Sequence, residues 1–460
     1  MNKVMQKATS NNSVVSRTDK ESQIEYVLKT VEERKVDFIQ LWFSDVLGTP
    51  KSFQITPAEL ENALEEGMTF DGSAIDGFSR VQESDVIALP DPTTFSLLPT
   101  DPTMARVFCD IYNLDLTPFE GCPRNTLRRA LDRAHTLGYS FFAAPELEYF
   151  YFSKTEASHE PIPLDSGSYF ELTVSDLGSQ LRKRTVLALE DMGIPVEYSQ
   201  HEDAPSQHEI DLRYTDALTM ADNVMTTRLL TKEIAASSGI SATFMPKPIA
   251  GVQGSGMHTH FSLFQGNKNA FYDPDAEYGL SVIAKQFIAG LLAHASEITA
   301  VTNQWVNSYK RLVVGYEAPV YVSWAQNNRS ALVRVPKPKT NKPDSTRIEY
   351  RALDAAANPY LAFAVILGAG LLGIEREYKL GDQTFDNLFK MTPEQVTKQG
   401  IKSLPGNLDE AIREMDGSDL VRSVLGAHVF EWFVRNKRDE WSGYKTHVSQ
   451  YELDRYLGHL

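Results

Sequence analysis

The chain has 460 residues, of which 42% are apolar and 23% are charged, values typical of folded globular proteins. Its 45 basic and 61 acidic residues give a net charge of −16 (45 − 61), which disfavours non-specific binding to nucleic acids and anionic membranes. Its two cysteines, Cys109 and Cys122, cannot build a disulfide framework, so we expect a reducing, cytoplasmic setting.

The first predicted unit is a small N-terminal domain over residues 19–118, preceded by a disordered tail over residues 1–18 without the apolar core of a secretory signal. From Ile24 to Asp115 the segments are short and β-like. One helix is predicted from Pro57 to Glu66. Four prolines between Pro90 and Pro102 predict an irregular run at the domain edge.

Residues 119–460 are predicted to form a larger domain in which helices alternate with strands. Apolar residues recur at helical spacing from Leu127 to Leu137 and from Leu177 to Met192. The longest apolar stretch, Tyr360 to Ile374, is shorter than the ~18 residues that a membrane span needs, so it predicts a buried helix. The chain after Pro359 is predicted to be largely helical.

Two glutamates interrupt the apolar strand that follows Ala143. Because side chains alternate along a strand, Glu146 and Glu148 point to the same side. Two neighbouring carboxylates repel each other and are costly to bury unless a cation lies beside them. The segment alone is equally compatible with a solvent-exposed sheet face.

The same spacing recurs in two further predicted strands, one with His258 and His260 and one centred on Glu349. Glu202 and Glu209 flank an Asp-Ala-Pro-Ser turn signal that could fold both carboxylates to one place. Carboxylate oxygens with few imidazoles and no thiolates favour Mg²⁺ or Mn²⁺ over structural zinc. Since five carboxylates exceed what one such ion needs, two or more adjacent ions are predicted.

Arginines follow in the next apolar segments: Arg311, Arg329, Arg334, Arg347 and Arg351. Such guanidinium groups are typical of clamps for phosphate or carboxylate, with structural ion pairs as the alternative. Divalent metals with convergent arginines are what phosphoryl transfer needs. The glycine-rich stretch from Gly251 to Gly256 lacks the Gly-Lys-Ser/Thr of a phosphate-binding loop, and instead predicts close approach of the backbone to a small ligand.

Eight ordered motifs resemble those of the bacterial-type (type I) glutamine synthetases, over nearly the whole chain. They are Phe70-Asp-Gly-Ser, Ala144-Pro-Glu-Leu-Glu-Tyr, His201-Glu-Asp-Ala-Pro-Ser-Gln-His-Glu, Phe244-Met-Pro-Lys-Pro, Gly254-Ser-Gly-Met-His, Lys310-Arg-Leu-Val-Val-Gly-Tyr-Glu-Ala-Pro, Asn328-Arg-Ser-Ala and Ala356-Ala-Asn-Pro-Tyr. The resemblance implies an α+β fold, with an N-terminal β-grasp domain before a larger catalytic α/β domain on a curved antiparallel sheet. It also implies a cytoplasmic dodecamer of two hexameric rings with active sites shared between subunits.

The reaction that this resemblance implies is the ligation of ammonia to the γ-carboxylate of L-glutamate. ATP first gives γ-glutamyl phosphate, and attack by ammonia then yields L-glutamine, ADP and phosphate. The partners are therefore glutamate, ammonium and ATP, with two to three Mg²⁺ or Mn²⁺ ions per active site, no membrane and no direct contact with nucleic acid.

Matching positions imply a role for each candidate residue. The ligands of one metal would be Glu148, Glu202 and Glu209, and those of the second Glu146, His258 and Glu349. The nucleotide-side residues would be Glu197, His260, Ser262, Arg334 and Arg347. The glutamate-binding residues would be Gln253, Gly254, Arg311 and Arg351. The catalytic residues would be Asp71, which a neighbouring subunit supplies to deprotonate ammonium, Arg329 at the γ-phosphoryl group, and the flap acid Glu317. For Asp71 the structural alternative is an Asx turn in Asp-Gly-Ser.

Five features depart from the family pattern. Gln253 replaces an asparagine, Val314 the flap proline, Ser206 a glycine and Ala74 a second serine, and Arg351-Ala-Leu-Asp-Ala replaces a more proline-rich stretch. They leave open a γ-glutamyl ligase for an organic amine, such as a polyamine or alkylamine, whereas Asp71 with Glu317 favours ammonia. A catalytically inactive, glutamine-sensing relative is a third alternative. It is disfavoured because every metal ligand and arginine is present.

Two positions bear on regulation. Phe389 stands where the adenylylated subset of the family has a tyrosine, so the resemblance is to the non-adenylylated subset. Arg80 matches an arginine linked to glutamine feedback, and we expect a regulatory role for it. The alternative for Arg80 is a surface ion pair with Glu83 or Asp85.

Overall fold

The structure is a computed structural model that describes residues 17–78, 84–153, 161–172, 177–338, 342 and 345–460. The regulatory candidate Arg80 lies outside the described residues, as do residues 1–16 of the expected tail. Two sheets, one in each half of the molecule, are covered by helices, so the predicted α+β class is confirmed.

The N-terminal part builds a mixed sheet from short strands. Its elements are α1 (Arg17–Arg34), β1 (Phe38–Ser44), β2 (Pro50–Ile55), α2 (Pro57–Glu66), β3 (Met68–Asp71), β4 (Asp85–Pro90), β5 (Ser96–Leu98) and β6 (Asp101–Tyr112). The strand order is β2–β1–β6–β4–β3, with β5 beside β6. Strands β1 and β6 run parallel, and the other pairs run antiparallel.

Helix α1 corrects the expectation of β-like segments from Ile24 onward. Val27 and Val31 are buried one helical turn apart, and the half-buried Ile24 and Leu28 pack against the same core. These four apolar residues recur at helical spacing, so the sequence contains a signal for this helix that the expectation of strands overlooked. The predicted helix α2 is confirmed, with Pro57 at its first turn and Gly67 at its end.

The proline-rich run is regular where an irregular segment was expected. Pro90 ends β4, Pro92 begins the 3₁₀ turn Pro92–Thr94, and Pro102 is the second residue of β6. Each proline stands at an element end, where a missing N–H costs little, so proline marks the boundaries without abolishing the elements.

The second part alternates helices with strands, as predicted. Its first elements are α3 (Pro123–Thr136), β7 (Ser140–Ser153), α4 (Leu177–Asp191), β8 (Val196–His201), β9 (Gln207–Leu212), β10 (Thr215–Asp216), α5 (Ala217–Ala236), β11 (Ile240–Thr243), β12 (Met257–Gln265) and β13 (Lys268–Asn269). They are followed by α6 (Val282–Ala293), α7 (Ala295–Thr302), α8 (Ser308–Arg311), β14 (Trp324–Ala325), β15 (Val333–Arg334), β16 (Ile348–Tyr350) and α9 (Pro359–Glu375). The last helices are α10 (Pro393–Lys398), α11 (Leu408–Asp416), α12 (Asp419–Leu425), α13 (Ala427–Thr446) and α14 (Gln450–Tyr456).

The larger sheet follows the order β14–β15–β16–β12–β7–β9–β8, with β10 and β11 also paired to β7 and β13 to β12. Its pairs are antiparallel except β14 with β15. The sheet curls strongly, in agreement with the predicted curved sheet. Helix α9 is buried from Pro359 to Leu371, as its apolar sequence predicts. Among the described residues, no helix is long and apolar enough to cross a membrane.

Candidate functional site

The register of four adjacent strands brings the predicted metal ligands together. Glu146 on β7 lies opposite His258 on β12, and Glu148 lies opposite Glu209 on β9. Glu349 on β16 lies opposite His260 of the same β12. The period-two spacing seen in the sequence therefore becomes one continuous face across the sheet.

One group on this face consists of Glu146, His258 and Glu349. A ligand atom from each lies within 4.8 Å of the other two. The Nδ1 atom of His258 is 3.5 Å from Glu146 Oε2 and 3.9 Å from Glu349 Oε1. Glu146 Oε1 also lies 2.8 Å from the Nε2 atom of His260. Two carboxylates and an imidazole at this separation form a suitable donor set for one divalent cation.

The carboxylates of this group are held in the charged form. Burial alone would raise the pKa of Glu146, but hydrogen bonds from His258 and His260 outweigh it and bring the pKa well below its usual range. Burial likewise opposes ionisation of Glu349, and the charges of Arg351 and His260 outweigh it and lower the pKa. An ionised carboxylate is the form that binds a metal.

A second group consists of Glu148, Glu202 and Glu209, all at most 9% exposed. The hairpin of β8 and β9 turns between Glu202 and Glu209, as the turn signal predicts. The Nε2 atom of Gln200 donates to Glu202 at 2.8 Å and to Glu209 at 3.0 Å. Glu148 accepts from Gln207 at 3.1 Å and from the backbone N–H of Gly256 at 2.8 Å.

This second group lacks a cation of its own, because none of its three carboxylates forms an ion pair with a lysine or arginine among the described residues. Burial, and then the charge of Glu148, raise the pKa of Glu202 to about 8. Burial and the neighbouring acids, Asp211 first, raise the pKa of Glu209 well above its usual value. Three buried, mutually repelling carboxylates fit a divalent cation, which would remove both penalties.

Arginines border the two groups. The Nε atom of Arg351 is 3.0 Å from Glu349, and its Nη1 is buried without a hydrogen-bond partner in the described part of the chain. Arg334 also contacts Glu349. Arg347 Nε lies 3.3 Å from His260 Nδ1. These guanidinium groups converge on one end of the metal face, where an anion would find several donors.

Arg311 and the glycine-rich segment form the floor beside His258. Arg311 is buried, donates to the carbonyl of Ala352 at 2.7 Å, and lies 3.4 Å from His258 Nε2. A Cβ on Gly254 would come within 2.1 Å of the Pro246 carbonyl oxygen, so only glycine fits there. The glycine is thus required by the close packing of this segment against Pro246, and the predicted approach to a small ligand stays a prediction.

Four further candidates lie at the edges of the site. Ser262 shares the face of β12 that carries His258 and His260. Glu197 is exposed at an irregularity in the β8–β9 pairing, near enough to Asp211 to raise its pKa. Arg329 is exposed in a turn beside Tyr169, and Gln253 is half-buried in the loop before Gly254.

The two predicted proton carriers occupy different parts of the molecule. Glu317 is exposed, has a φ of 58°, and is close enough to Glu202 for its charge to raise that pKa. Asp71 lies on β3 of the smaller sheet, where its Oδ1 accepts from the backbone N–H of Ser73 at 2.8 Å. The Asx turn is therefore present, and the hydrogen bonds from Ser73 lower the pKa of Asp71. Within one chain, Asp71 belongs to another sheet than the metal groups.

Some site residues were not predicted. Gln207 and Asp211 lie two residues before and two residues after Glu209 on β9, so all three side chains share one face of the strand. The same spacing rule that identified Glu146 and Glu148 could therefore have identified them. Asp211 lies opposite Glu146, and its Oδ1 has no hydrogen-bond partner in the described part of the chain. Burial, and then the charge of Glu146, raise the pKa of Asp211 to about 8.

A polar cluster behind the second group also escaped the sequence analysis. Asp165, His201 and His208 bring their ligand-type atoms within 4.8 Å of one another. Asp165 Oδ1 lies 3.0 Å from His201 Nε2 and accepts from the backbone N–H of Ser206 at 2.9 Å. This contact supports the turn that carries Glu202 from the side away from the metal face. No local sequence pattern links Asp165 to a turn about 40 residues later.

Comparison with known proteins identifies the family. The profile described as glutamine synthetase, catalytic domain, matches residues 120–456, and that described as glutamine synthetase, beta-Grasp domain, matches residues 35–114. The glutamine synthetase of Mycobacterium tuberculosis strain H37Rv is 53% identical over 441 residues, 95% of this chain and 99% of the relative. That of Thermotoga maritima is 48% identical over 439 residues, 94% and 99% of the two chains.

Two solved structures are similar to this chain over nearly its whole length. A structure titled GmaS/ADP complex has a TM-score of 0.85 and 31% identity, covering 94% of this chain and 99% of the other. The cryo-EM structure of Plasmodium falciparum glutamine synthetase has a TM-score of 0.85 and 25% identity, covering 95% and 98%. The predicted order of a β-grasp domain before a catalytic domain is confirmed, and the chain belongs to the glutamine synthetase family.

Proposed function

We propose that this chain uses ATP to ligate ammonia to the γ-carboxylate of L-glutamate through γ-glutamyl phosphate, giving L-glutamine, ADP and phosphate. The observation that carries the proposal is the pair of adjacent acidic groups bordered by arginines on one face of the curved sheet. A carboxylate is a poor electrophile because its oxygen is a poor leaving group. Phosphorylation solves this problem, and it requires groups that neutralise phosphate charge next to the carboxylate.

The metal face fits two to three Mg²⁺ or Mn²⁺ ions. One ion would be held by Glu148, Glu202 and Glu209 and another by Glu146, His258 and Glu349. Bound there, such ions supply positive charge to phosphate and carboxylate oxygens. The raised pKa values of Glu202 and Glu209 support this assignment, since protons compete for those carboxylates when no cation is present.

The chain's own cations would orient the two substrates. Arg351, with its unpartnered Nη1, and the buried Arg311 would bind glutamate against the backbone at Gln253 and Gly254. On the nucleotide side the proposed residues are Glu197, His260, Ser262, Arg334 and Arg347. The exposed Arg329 is free to turn toward the γ-phosphoryl group when ATP is bound. Guanidinium forks match carboxylate and phosphate oxygens in two-point hydrogen bonds.

The proton steps fall to Asp71 and Glu317. Asp71 of a neighbouring subunit would bind ammonium and remove a proton, and its lowered pKa keeps it a charged carboxylate that attracts the cation. Glu317 would close over the acyl phosphate, exclude water and accept a proton from the tetrahedral adduct. Its φ of 58° is uncommon for a residue other than glycine.

The assembly implied by this arrangement is a cytoplasmic dodecamer of two hexameric rings, in which Asp71 reaches the next subunit. We assign the chain to the type I, non-adenylylated subset because Phe389 has no hydroxyl to modify. Direct feedback by glutamine through Arg80 completes this proposal. Recovery of a nucleotidyl adduct on the segment Leu388–Lys390 would contradict the subset assignment.

The test is ADP release by the purified protein with ATP, Mg²⁺ and glutamate, supplied with ammonium or with a panel of alkylamines and polyamines. We expect turnover with ammonium, and its collapse in Asp71→Ala. Asp85→Ala, at the position paired with Asp71 on β4, is the matched control and should retain activity. Turnover with the organic amines alone would transfer the assignment to an amine ligase, for which the Gln253 and Val314 departures are the motivating observations.

A further inference from the structure

A cavity of about 740 Å³ lies apart from the metal face. It is enclosed by α5, the turn between β1 and β2, the segments around Pro246 and Trp305, and the end of α13. None of the residues that line it belongs to the two metal groups. Its volume is within the ~300–1,000 Å³ of typical small-molecule sites.

The inner end of this cavity carries an arginine that forms no ion pair with a carboxylate of the described residues. Arg228 is 8% exposed and lines the cavity. Its Nη2 donates to the Ala357 carbonyl at 2.8 Å, whereas its Nε has no hydrogen-bond partner among the described residues. The acid whose charge acts on it, Asp354, is bonded to Asn303 at 3.2 Å and to the Ala356 N–H at 3.0 Å. A buried guanidinium charge that no adjacent carboxylate neutralises favours an anion at this end of the cavity.

Two further cations lie at the exposed end, Lys232 and Lys310. Lys310 Nζ is 5.4 Å from the centre of the Tyr444 ring, and neither lysine forms an ion pair in the described part of the chain. The acid in the lining, Glu440, is already neutralised by Lys437 at 2.7 Å and accepts from the Val306 N–H at 2.9 Å. The cavity therefore has an excess of positive charge.

The walls between these cations are apolar. The side chains that supply them are Met225, Leu229, Phe244, Trp305 and Tyr444. A purely inorganic anion would leave these surfaces exposed to water, whereas an aromatic or branched aliphatic body would cover them. We propose that this cavity binds a small organic anion that combines one carboxylate or phosphate group with such an apolar body.

A ligand bound in the cavity should affect the segment at Gln253 and Gly254 that we assign to glutamate binding. This inference rests on the proposed function. The carbonyl of Pro246, in the cavity wall, accepts from the Ser255 N–H at 2.8 Å and touches Gly254. Asn307, also in the wall, bonds Lys247 at 2.7 and 3.0 Å. A ligand that shifts this wall would move the loop that we assign to glutamate, so the anion would act as an effector.

The test is calorimetric binding to the full-length enzyme, with phenylacetate, 3-methylbutanoate and phenyl phosphate as probes and phenylacetamide as the neutral control. We expect at least one of the three anions to bind, and the neutral amide to bind at least roughly tenfold more weakly. The affinities of the carboxylates and of phenyl phosphate show which of the two anionic groups the cavity prefers. Lys232→Met should weaken binding, and Leu229→Trp, which fills the cavity, should abolish it. Lys183→Met, an exposed lysine on α4, should leave it unchanged. Arg228→Met should lower affinity roughly tenfold or more if it folds.

Absence of binding by every anion, equal binding of the amide, or unchanged affinity in both Lys232→Met and Leu229→Trp would overturn the site. For the effector role, we expect the bound anion to change the KM for glutamate at least twofold, and not in Leu229→Trp. Binding without a change in KM would overturn the effector role alone. Since binding is read without turnover, an enzyme that makes no glutamine would refute the proposed function while leaving the result on this cavity intact.

Discussion

At the scale of single residues, the site is defined by buried carboxylates that repel one another. Glu148, Glu202 and Glu209 receive hydrogen bonds only from amides and backbone N–H groups in the described part of the chain, which neutralise no charge. Ser206 holds the turn between two of them at a φ of 59°, where the family has a glycine. Its Oγ accepts from the backbone N–H groups of Leu164 and Asp165, which offsets the strain.

Burial, together with this repulsion, predicts how stability depends on pH in metal-free protein. The pKa of Glu202 rises from 4.5 in its ordinary state to about 8 in the folded state. The folded state therefore binds more protons than the unfolded state between these values, and stability falls as the pH rises from about 4.5 toward about 8. Mg²⁺ should reverse the loss, and its stabilisation should be larger at pH 8 than at pH 6.

The measurement is urea unfolding at both pH values, with and without Mg²⁺. At a hundredfold excess over its Kd, the ion should add about 2.7 kcal/mol at pH 8. Glu209→Gln should lose much of this gain, and Glu190→Gln on the exposed side of α4 should keep it. A Mg²⁺ effect of equal size at both pH values would contradict the assignment of these carboxylates as ligands.

At the scale of elements, strand periodicity predicted most of the site. Residues two apart on β7 and on β12 do share a face, and the turn signal between Glu202 and Glu209 does fold a hairpin. The sequence could not predict which strands are neighbours, because the pairing of β12 with both β7 and β16 joins segments about 100 residues apart. Helix α1 was missed although Ile24, Val27, Leu28 and Val31 recur at helical spacing, because the segment was interpreted as β-like.

The segment around Glu317 is the element on which catalysis should depend most. Glu317→Gln keeps the shape but cannot accept the proton, so we expect glutamine formation to fall about 10²–10⁴-fold. ADP release without ammonium should fall much less, because the phosphoryl transfer does not use this carboxylate. Glu377→Gln is the control, since Glu377 also has a positive φ, 51°, but lies outside the site. An equal fall in both reactions would argue for a role in binding ATP.

At the scale of the whole molecule, Arg124 joins the two parts of the chain. Its guanidinium binds three carboxylates at 2.7–3.0 Å, Asp91 and Asp110 from the smaller sheet and Asp222 from α5. Asp91 and Asp110 also pair with Arg128, at 2.9 and 2.8 Å. Arg124→Met would therefore leave the buried Asp222 without its ion-pair partner, at a cost of about 3–5 kcal/mol in unfolding free energy. Arg413→Met, which breaks an exposed pair with Asp409, should cost at most about 1 kcal/mol. Similar losses in chemical denaturation would contradict this role for Arg124.

Sharing of the active site between subunits can be tested by mixing two inactive variants. Asp71→Asn and Glu317→Gln should each have little activity alone. Co-assembled from equal amounts of both subunits, about one quarter of the sites would combine an intact Asp71 from one subunit with an intact Glu317 from the next, and activity should return to that level. The mixture of Asp71→Asn with Asp71→Ala is the control and should stay inactive. Failure of the first mixture to recover would place both residues in one chain's site.

The passage of the reaction through γ-glutamyl phosphate is tested most directly by following oxygen. Glutamate labelled with ¹⁸O in its γ-carboxylate is incubated with ATP, Mg²⁺, ammonium and the purified protein, and the released phosphate is analysed by mass spectrometry. Because the carboxylate oxygen attacks the γ-phosphorus and leaves with it when ammonia displaces the phosphate, each phosphate formed should carry one ¹⁸O atom. Glutamine formed together with unlabelled phosphate would contradict the acyl-phosphate route and the function proposed for this site.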